Sequence, residues 1–223
     1  MPLWNFFIFF LLPRSTILGP ITGAIFHKNI YSINSFIRKL ILPIFFKISN
    51  YLIFKKFNKI IFSTNNLKRY IKKKNYKFCR FNFSTLLYEK RKKKIKKIDF
   101  LFYYRQHIMK SNLLHENIIK YLADNNYNVV VVGDKFIYPN VKNYINLPRK
   151  NLLNILDKVK YTLASDENFY NLFSIDCLSC HVKIFANNLV KPLNNFFSNK
   201  SFIFIDFTNF QEVTKRIVFT IKR

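Results

Sequence analysis

A chain of 223 residues, half of them hydrophobic and 18% aromatic, is long enough to bury a sizeable core and too apolar to remain disordered. Its formal net charge of +27 indicates a nucleic acid or an anionic membrane surface as partner, although codon bias toward A and T would also enrich lysine. Three cysteines are too few for a disulfide scaffold, which favours a reduced, cytoplasmic setting.

The first sixty residues are apolar, yet we predict no membrane-spanning segment in them. Leu3–Leu12 is too short to cross a bilayer and lacks the flanks of a signal peptide. A helix-compatible stretch covers residues 34–58, and we expect it to break or kink at Pro43. Lysines interrupt the apolar pattern between Leu40 and Phe62, which favours a helix that lies on a membrane or on another domain.

The remainder of the N-terminal part shows a shorter alternation. Lys59–Thr64, Asn65–Lys74 and Lys77–Phe83 predict a strand, a helix and a strand. Ser84–Lys97 is densely basic and has few core positions, which is typical of a linker. We therefore predict a partial α/β segment at residues 1–83, a basic linker at 84–97 and a separate domain at 98–223.

Strands and helices alternate regularly in the C-terminal part. Short apolar runs predict strands at Ile98–Tyr104, Asn128–Asp134, Tyr161–Ala164, Val182–Ala186 and Ser201–Asp206. Helical spacing predicts helices at Ser111–Asn125, at Arg149–Lys160, in a segment ending at Cys180, and at Phe210–Lys222. Such alternation is typical of βαβ units, so the expected fold is α/β with a Rossmann-like parallel sheet.

Ligands of parallel sheets bind at the carboxyl ends of the strands. In this sequence the polar segments at those ends are Tyr104–Lys110, Gly133–Lys135 and Ser165–Tyr170. The candidate ligand-binding residues are therefore expected in these three segments.

Cys177, Cys180 and His181 form a C-x-x-C-H pattern. The pattern occurs at covalent haem sites, and paired cysteines also bind zinc. Without an export signal or a second ligand pair, we interpret the cysteines as small packing residues and expect no metal.

The segment Ser165–Asn187 resembles the retaining GT-B glycosyltransferases of group 1, or family 4. The resemblance is carried by Ser165, Glu167, Phe169, Leu172, Asp176, the Ser179–Cys180 turn and Val182. Upstream, Arg105 followed by Lys110 is similar to the strand-end cation pair of the family, and the VVVVGD run ending at Gly133 resembles its second strand. The segments ILGPITGA and KIIFST resemble the end of the family's N-terminal domain.

The resemblance implies a donor site for a nucleotide sugar, UDP- or GDP-linked, without metal or other cofactor. It assigns the diphosphate to Arg105 and Lys110, the sugar hydroxyls to Glu167, and the ribose hydroxyls to Asp176. Backbone N–H groups after Phe169 offer a further anion site. Gly133 and Asn168 complete the expected donor-binding set.

The function that this resemblance implies is transfer of a hexose, with retention, to a cell-surface glycan or lipid-linked acceptor. The expected place is the cytoplasm, peripheral at the inner face of an anionic membrane. The chain supplies one Rossmann domain and only the closing part of another, so three explanations stay open: a partner chain supplies the missing N-terminal half, the chain is a fragment, or the protein no longer catalyses. Two alternatives stay open: a basic, ribosomal-type nucleic-acid-binding protein and a non-catalytic glycosyltransferase-like remnant.

Overall fold

The computed structural model describes residues 11–21, 33–62, 66–81, 89–105, 113–164, 171–188, 201–207 and 210–221. The chain divides into two compact units. The first takes in Met1–Thr85, and the second takes in Leu86–Ser165 and Asn171–Arg223. None of the helices within the described ranges has both the length and the apolar character needed to cross a membrane.

The first unit is built on a small parallel sheet. Its strands β1 (Leu18–Ile21), β2 (Ile60–Phe62) and β3 (Cys79–Arg80) pair in that order. The helix α1 (Ile33–Lys56) connects the first two strands and packs Phe46, Ile53 and the neighbouring Phe57 into the core. A partial α/β segment is therefore present.

Two details of the first unit differ from the sequence-based expectations. The helix α1 continues through Pro43, where a break or a kink was expected. The helix expected at Asn65–Lys74 is replaced by two 3₁₀ turns, Asn66–Tyr70 and Lys73–Phe78. A run of adjacent lysines there repels itself and leaves few apolar positions to pack a longer helix.

The second unit contains a parallel sheet of six strands among its described residues. The strands are β4 (Ile98–Tyr104), β5 (Val129–Gly133), β6 (Val141–Ile145), β7 (Val159–Leu163), β8 (Lys183–Asn187) and β9 (Phe202–Ile205). Its helices are α2 (Leu113–Asp124), α3 (Arg149–Leu156), α4 (Leu172–Ser179) and α5 (Phe210–Ile221). The predicted α/β class with a Rossmann-like parallel sheet is confirmed.

The strand order is β6-β5-β4-β7-β8-β9. The chain starts in the middle at β4, builds outward to β6, and then crosses back to β7 on the other side of β4. This reversal makes a topological switch point between β4 and β7, the place at which ligands of open parallel sheets bind.

Helices cover both faces of this sheet, which explains the continuous valine run of β5. Helices α2 and α5 pack with Phe100 and Phe102 on one face, while Tyr103, pointing the other way along β4, contacts α4. Val129–Val132 are all at most 2% exposed. A strand buried on both sides has no polar position, as its sequence predicts.

Strand β6 has no counterpart among the sequence-based predictions. It lies at the edge of the sheet, all five of its residues are half-buried or exposed, and Lys142 and Asn143 interrupt its apolar pattern. The side chain of Asn143 bonds to the carbonyl of Val131 and to the N–H of Phe136, so it acts as a structural bridge. A polar residue with this role is indistinguishable in sequence from a loop residue.

Within the segment expected to be a linker, residues 91–97 run along the second unit, and we call them the basic strap. The backbone N–H of Arg91 donates to Ser179 and that of Lys97 to Lys158. The buried Asp157 carboxylate accepts from Arg91 at 3.0 Å and from Lys94 at 2.8 Å. Lys96 donates to the Cys180 carbonyl at 2.7 Å. Three cations of the strap are therefore bound to the domain that follows it.

Candidate functional site

The candidate site lies at the carboxyl ends of β4 and β7, on either side of the switch point. Strand β4 ends at Tyr104 and is followed by the exposed Arg105, while β7 ends at Leu163 and is followed by the buried Ala164. The segments 106–112 and 165–170 that continue from these strands are outside the described residues. Lys110, Glu167, Asn168 and Phe169 therefore have no described position.

Gly133 ends β5 beside Tyr104 of β4. Its φ of +118° is unfavourable for a side chain, and a Cβ there would lie inside van der Waals distance of the Tyr104 carbonyl. The sequence-predicted glycine is thus required by close approach of two strand ends.

Tyr104 fixes the start of the helix that follows its loop. Its hydroxyl donates to Glu116 in the first turn of α2 at 2.8 Å, and its ring contacts Phe136 at 5.1 Å. The two ends of the loop that carries Lys110 are therefore joined directly to each other.

Tyr103 was not anticipated as a site residue. Its ring is 46% exposed, lies 5.4 Å from that of Phe173 in α4, and stands beside Gly133. An exposed aromatic ring at a strand end is the kind of surface on which a planar or sugar ring stacks. The alternation of β4 places Tyr103 opposite the buried Phe102 and Tyr104, a signal that the sequence contains.

Asp176 lies in the second turn of α4 and is 2% exposed. Both of its carboxylate oxygens accept hydrogen bonds from Arg149, the shortest at 2.7 Å from Nη2. The carboxylate that the resemblance assigns to ribose is thus occupied by a guanidinium. These hydrogen bonds raise the pKa of Arg149, so the arginine remains charged.

Arg149 begins α3 directly after the β6 loop, and its side chain is 55% exposed. One end of its guanidinium is therefore fixed by Asp176 while the rest faces solvent. Phe173 and Asp176 are three residues apart and share one side of α4, which brings the Tyr103–Phe173 pair and the Arg149–Asp176 pair to the same part of the edge. Sequence reasoning missed Arg149 because its partner is 27 residues away.

The start of α4 is capped by its own sequence. The Asn171 side chain accepts from the N–H of Ser174 at 2.8 Å, as an N-cap residue does. Ser174 itself is 1% exposed, and its hydroxyl has no hydrogen-bond partner among the described residues. The cap ties the helix start to the end of the segment that contains Glu167.

The C-x-x-C-H residues lie at the opposite end of α4. Cys177 and Cys180 are fully buried, and burial raises the pKa of the Cys180 thiol to about 12 and that of Cys177 well above its usual range. His181 donates from Nε2 to the Arg91 carbonyl at 2.7 Å. These contacts are those of packing residues. Within the described part of the chain, no three His, Cys, Asp or Glu side chains meet as metal ligands.

No protein-family model and no curated protein matches this sequence. Among solved structures, a glycosyltransferase from Rickettsia africae ESF-5 is similar over 80% of this chain and 56% of its own, with 12% identity and a TM-score of 0.52. The E. coli heptosyltransferase WaaC with ADP-2-deoxy-2-fluoro heptose is similar over 56% of this chain and 42% of its own (8% identity, TM-score 0.38). T4 phage BGT in complex with UDP and Mn2+ is similar over 74% and 52% (12% identity, TM-score 0.41).

The first of these structures establishes the fold beyond the second unit alone, since the similarity extends over four fifths of the chain. The chain spans only about half the length of that protein. The α/β architecture predicted from the sequence, with its Rossmann-like parallel sheet, is therefore a fold that this chain shares with that protein.

Proposed function

We propose that this protein is a glycosyltransferase that takes a sugar from a UDP- or GDP-linked donor. The observation that supports this most is the strand order of the second unit. It brings β4 and β7 together at one switch point, and the sequence segments that follow these two strands contain most of the expected donor contacts. The fold shared with a glycosyltransferase is consistent with that use of the edge.

The donor diphosphate is proposed to bind Arg105 and Lys110. When the glycosidic bond breaks, negative charge develops on the diphosphate leaving group, and fixed cations stabilise that charge more in the transition state than in the ground state. Arg105 is exposed at the end of β4, where such a group has access.

Glu167, Asn168 and Phe169 are proposed to hold the transferred sugar, with the Glu167 carboxylate accepting from its hydroxyls. For Asp176 the structure suggests an indirect role. Because its carboxylate is buried under Arg149, we propose that Asp176 positions the arginine and that the exposed side of the guanidinium meets the donor. Tyr103 provides a stacking surface beside it.

The finer assignments are carried by the resemblance alone. They are a metal-independent, retaining transfer of a hexose to a cell-surface glycan or lipid-linked acceptor, within the cytoplasm at the inner face of the membrane. Because the chain spans about half of the Rickettsia protein, we propose that a partner chain or a further part of this protein completes the acceptor side.

The nucleic-acid-binding alternative depended on the basic run at residues 91–97. Arg91, Lys94 and Lys96 of this run donate to carboxylate or carbonyl oxygens of the second unit. Cations already bound in this way release fewer counterions on meeting a phosphate backbone. The structure therefore supports nucleic-acid binding less than the sequence does.

Calorimetric titration of the full chain with UDP- and GDP-sugars tests the proposal. Arg105→Ala, Lys110→Ala and Glu167→Ala should each weaken binding at least about tenfold, since a hydrogen bond to a charged group contributes about 1.5–3 kcal/mol. Lys158→Ala and Asp124→Ala are the matched controls. Both side chains are exposed, and Lys158 precedes β7 at the opposite edge of the sheet.

Binding of one nucleotide sugar, lost in the three site variants and kept in the two controls, would support the donor site. The proposal fails if the folded protein binds no nucleotide sugar at millimolar concentration. It also fails if the site variants bind as the wild type does. Strong, salt-dependent RNA binding without nucleotide-sugar affinity would favour the alternative.

A further inference from the structure

Helix α1 exposes an apolar surface on the side that faces away from the core of the first unit. Six large side chains there are between 41% and 66% exposed, and we call them the α1 stripe: Leu40, Ile41, Ile44, Phe45, Ile48 and Tyr51. Single exposed apolar residues are ordinary on a protein surface, whereas a contiguous row marks an interaction site.

The spacing of the α1 stripe makes it continuous. Steps of three and four residues lead from Leu40 to Ile44, Ile48 and Tyr51, so these side chains stack along one side of a helix that turns about 100° per residue. The opposite side packs Phe46 and Ile53 into the core. The helix is thus apolar on both sides.

The distribution of polar side chains around α1 differs from that of an ordinary surface helix. The buried side contains the polar Ser49 and Asn50, which are 1% and 5% exposed, while the outward side contains the stripe. A helix on the surface of a water-soluble domain places its polar residues outward. This distribution indicates that the outward side of α1 meets an apolar phase.

The charges around the α1 stripe indicate which sign of charge its partner carries. Lys47 lies beside the stripe and Lys55 continues it one turn beyond Tyr51, and both are exposed. The first 88 residues contain 15 Lys or Arg and no Asp or Glu, although the following 135 residues contain 11 acids. At the same density the first part would carry about seven acids. Codon bias toward lysine enriches cations but does not by itself remove acids from one part of a chain.

We propose that the α1 stripe docks on an anionic lipid membrane. The helix lies parallel to the surface, the apolar side chains enter the boundary between headgroups and acyl chains, and Lys47 and Lys55 contact lipid phosphates. This inference concerns a different surface from the donor site. It assigns the membrane-peripheral expectation to particular residues.

Co-sedimentation of the full chain with vesicles tests the docking surface. The protein should bind phosphatidylcholine vesicles that contain about a third of phosphatidylglycerol and should bind pure phosphatidylcholine vesicles at least about tenfold less. The double variant Ile44→Glu/Ile48→Glu should lose at least about tenfold in partitioning to anionic vesicles. Lys47→Gln/Lys55→Gln should weaken binding and flatten its dependence on salt.

Ile137→Glu is the matched control, because Ile137 is 79% exposed but belongs to the second unit. It should bind vesicles as the wild type does. The proposal is overturned if Ile44→Glu/Ile48→Glu binds anionic vesicles like the wild type, or if neutral and anionic vesicles bind equally. It is also overturned if the wild type is a dimer that this double variant dissociates, since the stripe would then be a contact between copies.

Titrating the same variants with the nucleotide sugar separates this inference from the proposed function. Stripe variants that lose vesicle binding should keep the wild-type donor affinity. Donor binding lost in Arg105→Ala should leave vesicle binding unchanged.

Discussion

Two residues of the second unit occupy backbone conformations that their surroundings impose. Gly133 has a φ of +118° at the end of β5, and His181 has a φ of +58° just after α4. Glycine adopts such values without strain, whereas histidine does so at a cost. The hydrogen bond from His181 Nε2 to the Arg91 carbonyl holds the histidine in this conformation.

We predict that Gly133→Ala lowers the free energy of unfolding by about 2 kcal/mol or more. The added Cβ meets the Tyr104 carbonyl, and the backbone there is strained for any residue with a side chain. Urea denaturation followed by circular dichroism measures the loss. An unchanged midpoint would mean that the strand ends are farther apart than described.

For His181 the informative comparison is between two substitutions. His181→Ala loses the hydrogen bond to the Arg91 carbonyl and keeps the left-handed backbone, while His181→Gly loses the same bond and relieves the backbone. The glycine variant should therefore be more stable than the alanine variant by about 1 kcal/mol. If denaturation ranks the alanine variant higher, the left-handed conformation is wrong.

Arg149 and Asp176 should behave as a unit toward the donor. Arg149→Ala is expected to weaken nucleotide-sugar binding about tenfold. Asp176→Asn should also weaken binding, to the extent that Arg149 is no longer held in position by the carboxylate. The double variant should bind no worse than Arg149→Ala alone. If the losses of binding free energy in the two single variants add up in the double variant, Asp176 contacts the donor itself, as the resemblance alone implies.

At the scale of elements, the apolar periodicity predicted those strands and helices whose positions depend on local sequence. The first strand of the second unit was predicted at Ile98–Tyr104 and is observed there, because its centre, Phe100–Phe102, is buried on both faces of the sheet and is therefore apolar. Helix α3 ends earlier than predicted, at Leu156. Pairing of Val159 with Ile98 draws the next residues into β7, and a tertiary contact of this kind overrides helical spacing.

The basic strap depends on partners that are far away in sequence. Arg91 and Asp157 are 66 residues apart, so nothing near residues 91–97 distinguishes a strap from a linker. In the same way, the expectation that Asp176 binds ribose did not include Arg149. Residue types at the site could be predicted, but which of them are already paired could not.

The basic strap should make the free energy of unfolding depend on pH in the acidic range. Burial acts to raise the pKa of Asp157, but hydrogen bonds from Arg91 and Lys94 outweigh it and lower the pKa to about 2. The unfolded value is about 3.9, so this stabilisation is complete above about pH 4 and is lost as the pH falls toward 2.

Asp157→Asn should therefore lower the free energy of unfolding by about 2 kcal/mol at neutral pH and remove that part of the acid dependence. Denaturation of both proteins between pH 2 and 6 measures it, with Asp99→Asn as a control for a half-exposed ion pair. Parallel curves for wild type and Asp157→Asn would contradict the role given to the strap.

At the scale of the molecule, the two units differ in charge and in the surface that each offers. The first, which has no acidic residue up to Thr85, presents the α1 stripe. The second has the switch point with Arg105, Gly133 and the Tyr103–Phe173 pair. Composition alone shows the excess of cations, whereas the separation of cations from acids appears in the order of the residues, since the first acid in the sequence is Glu89.

The central claim is that the donor binds at the switch point of the second unit. Amide chemical shifts of the full, isotopically labelled chain should be measured during titration with the nucleotide sugar that binds best. We predict the largest changes at Arg105, Asp134 and Asn171, which follow β4 and β5 and precede α4. Largest changes at the opposite edge of the sheet, at Asp99, Lys158 or Lys183, would contradict the claim.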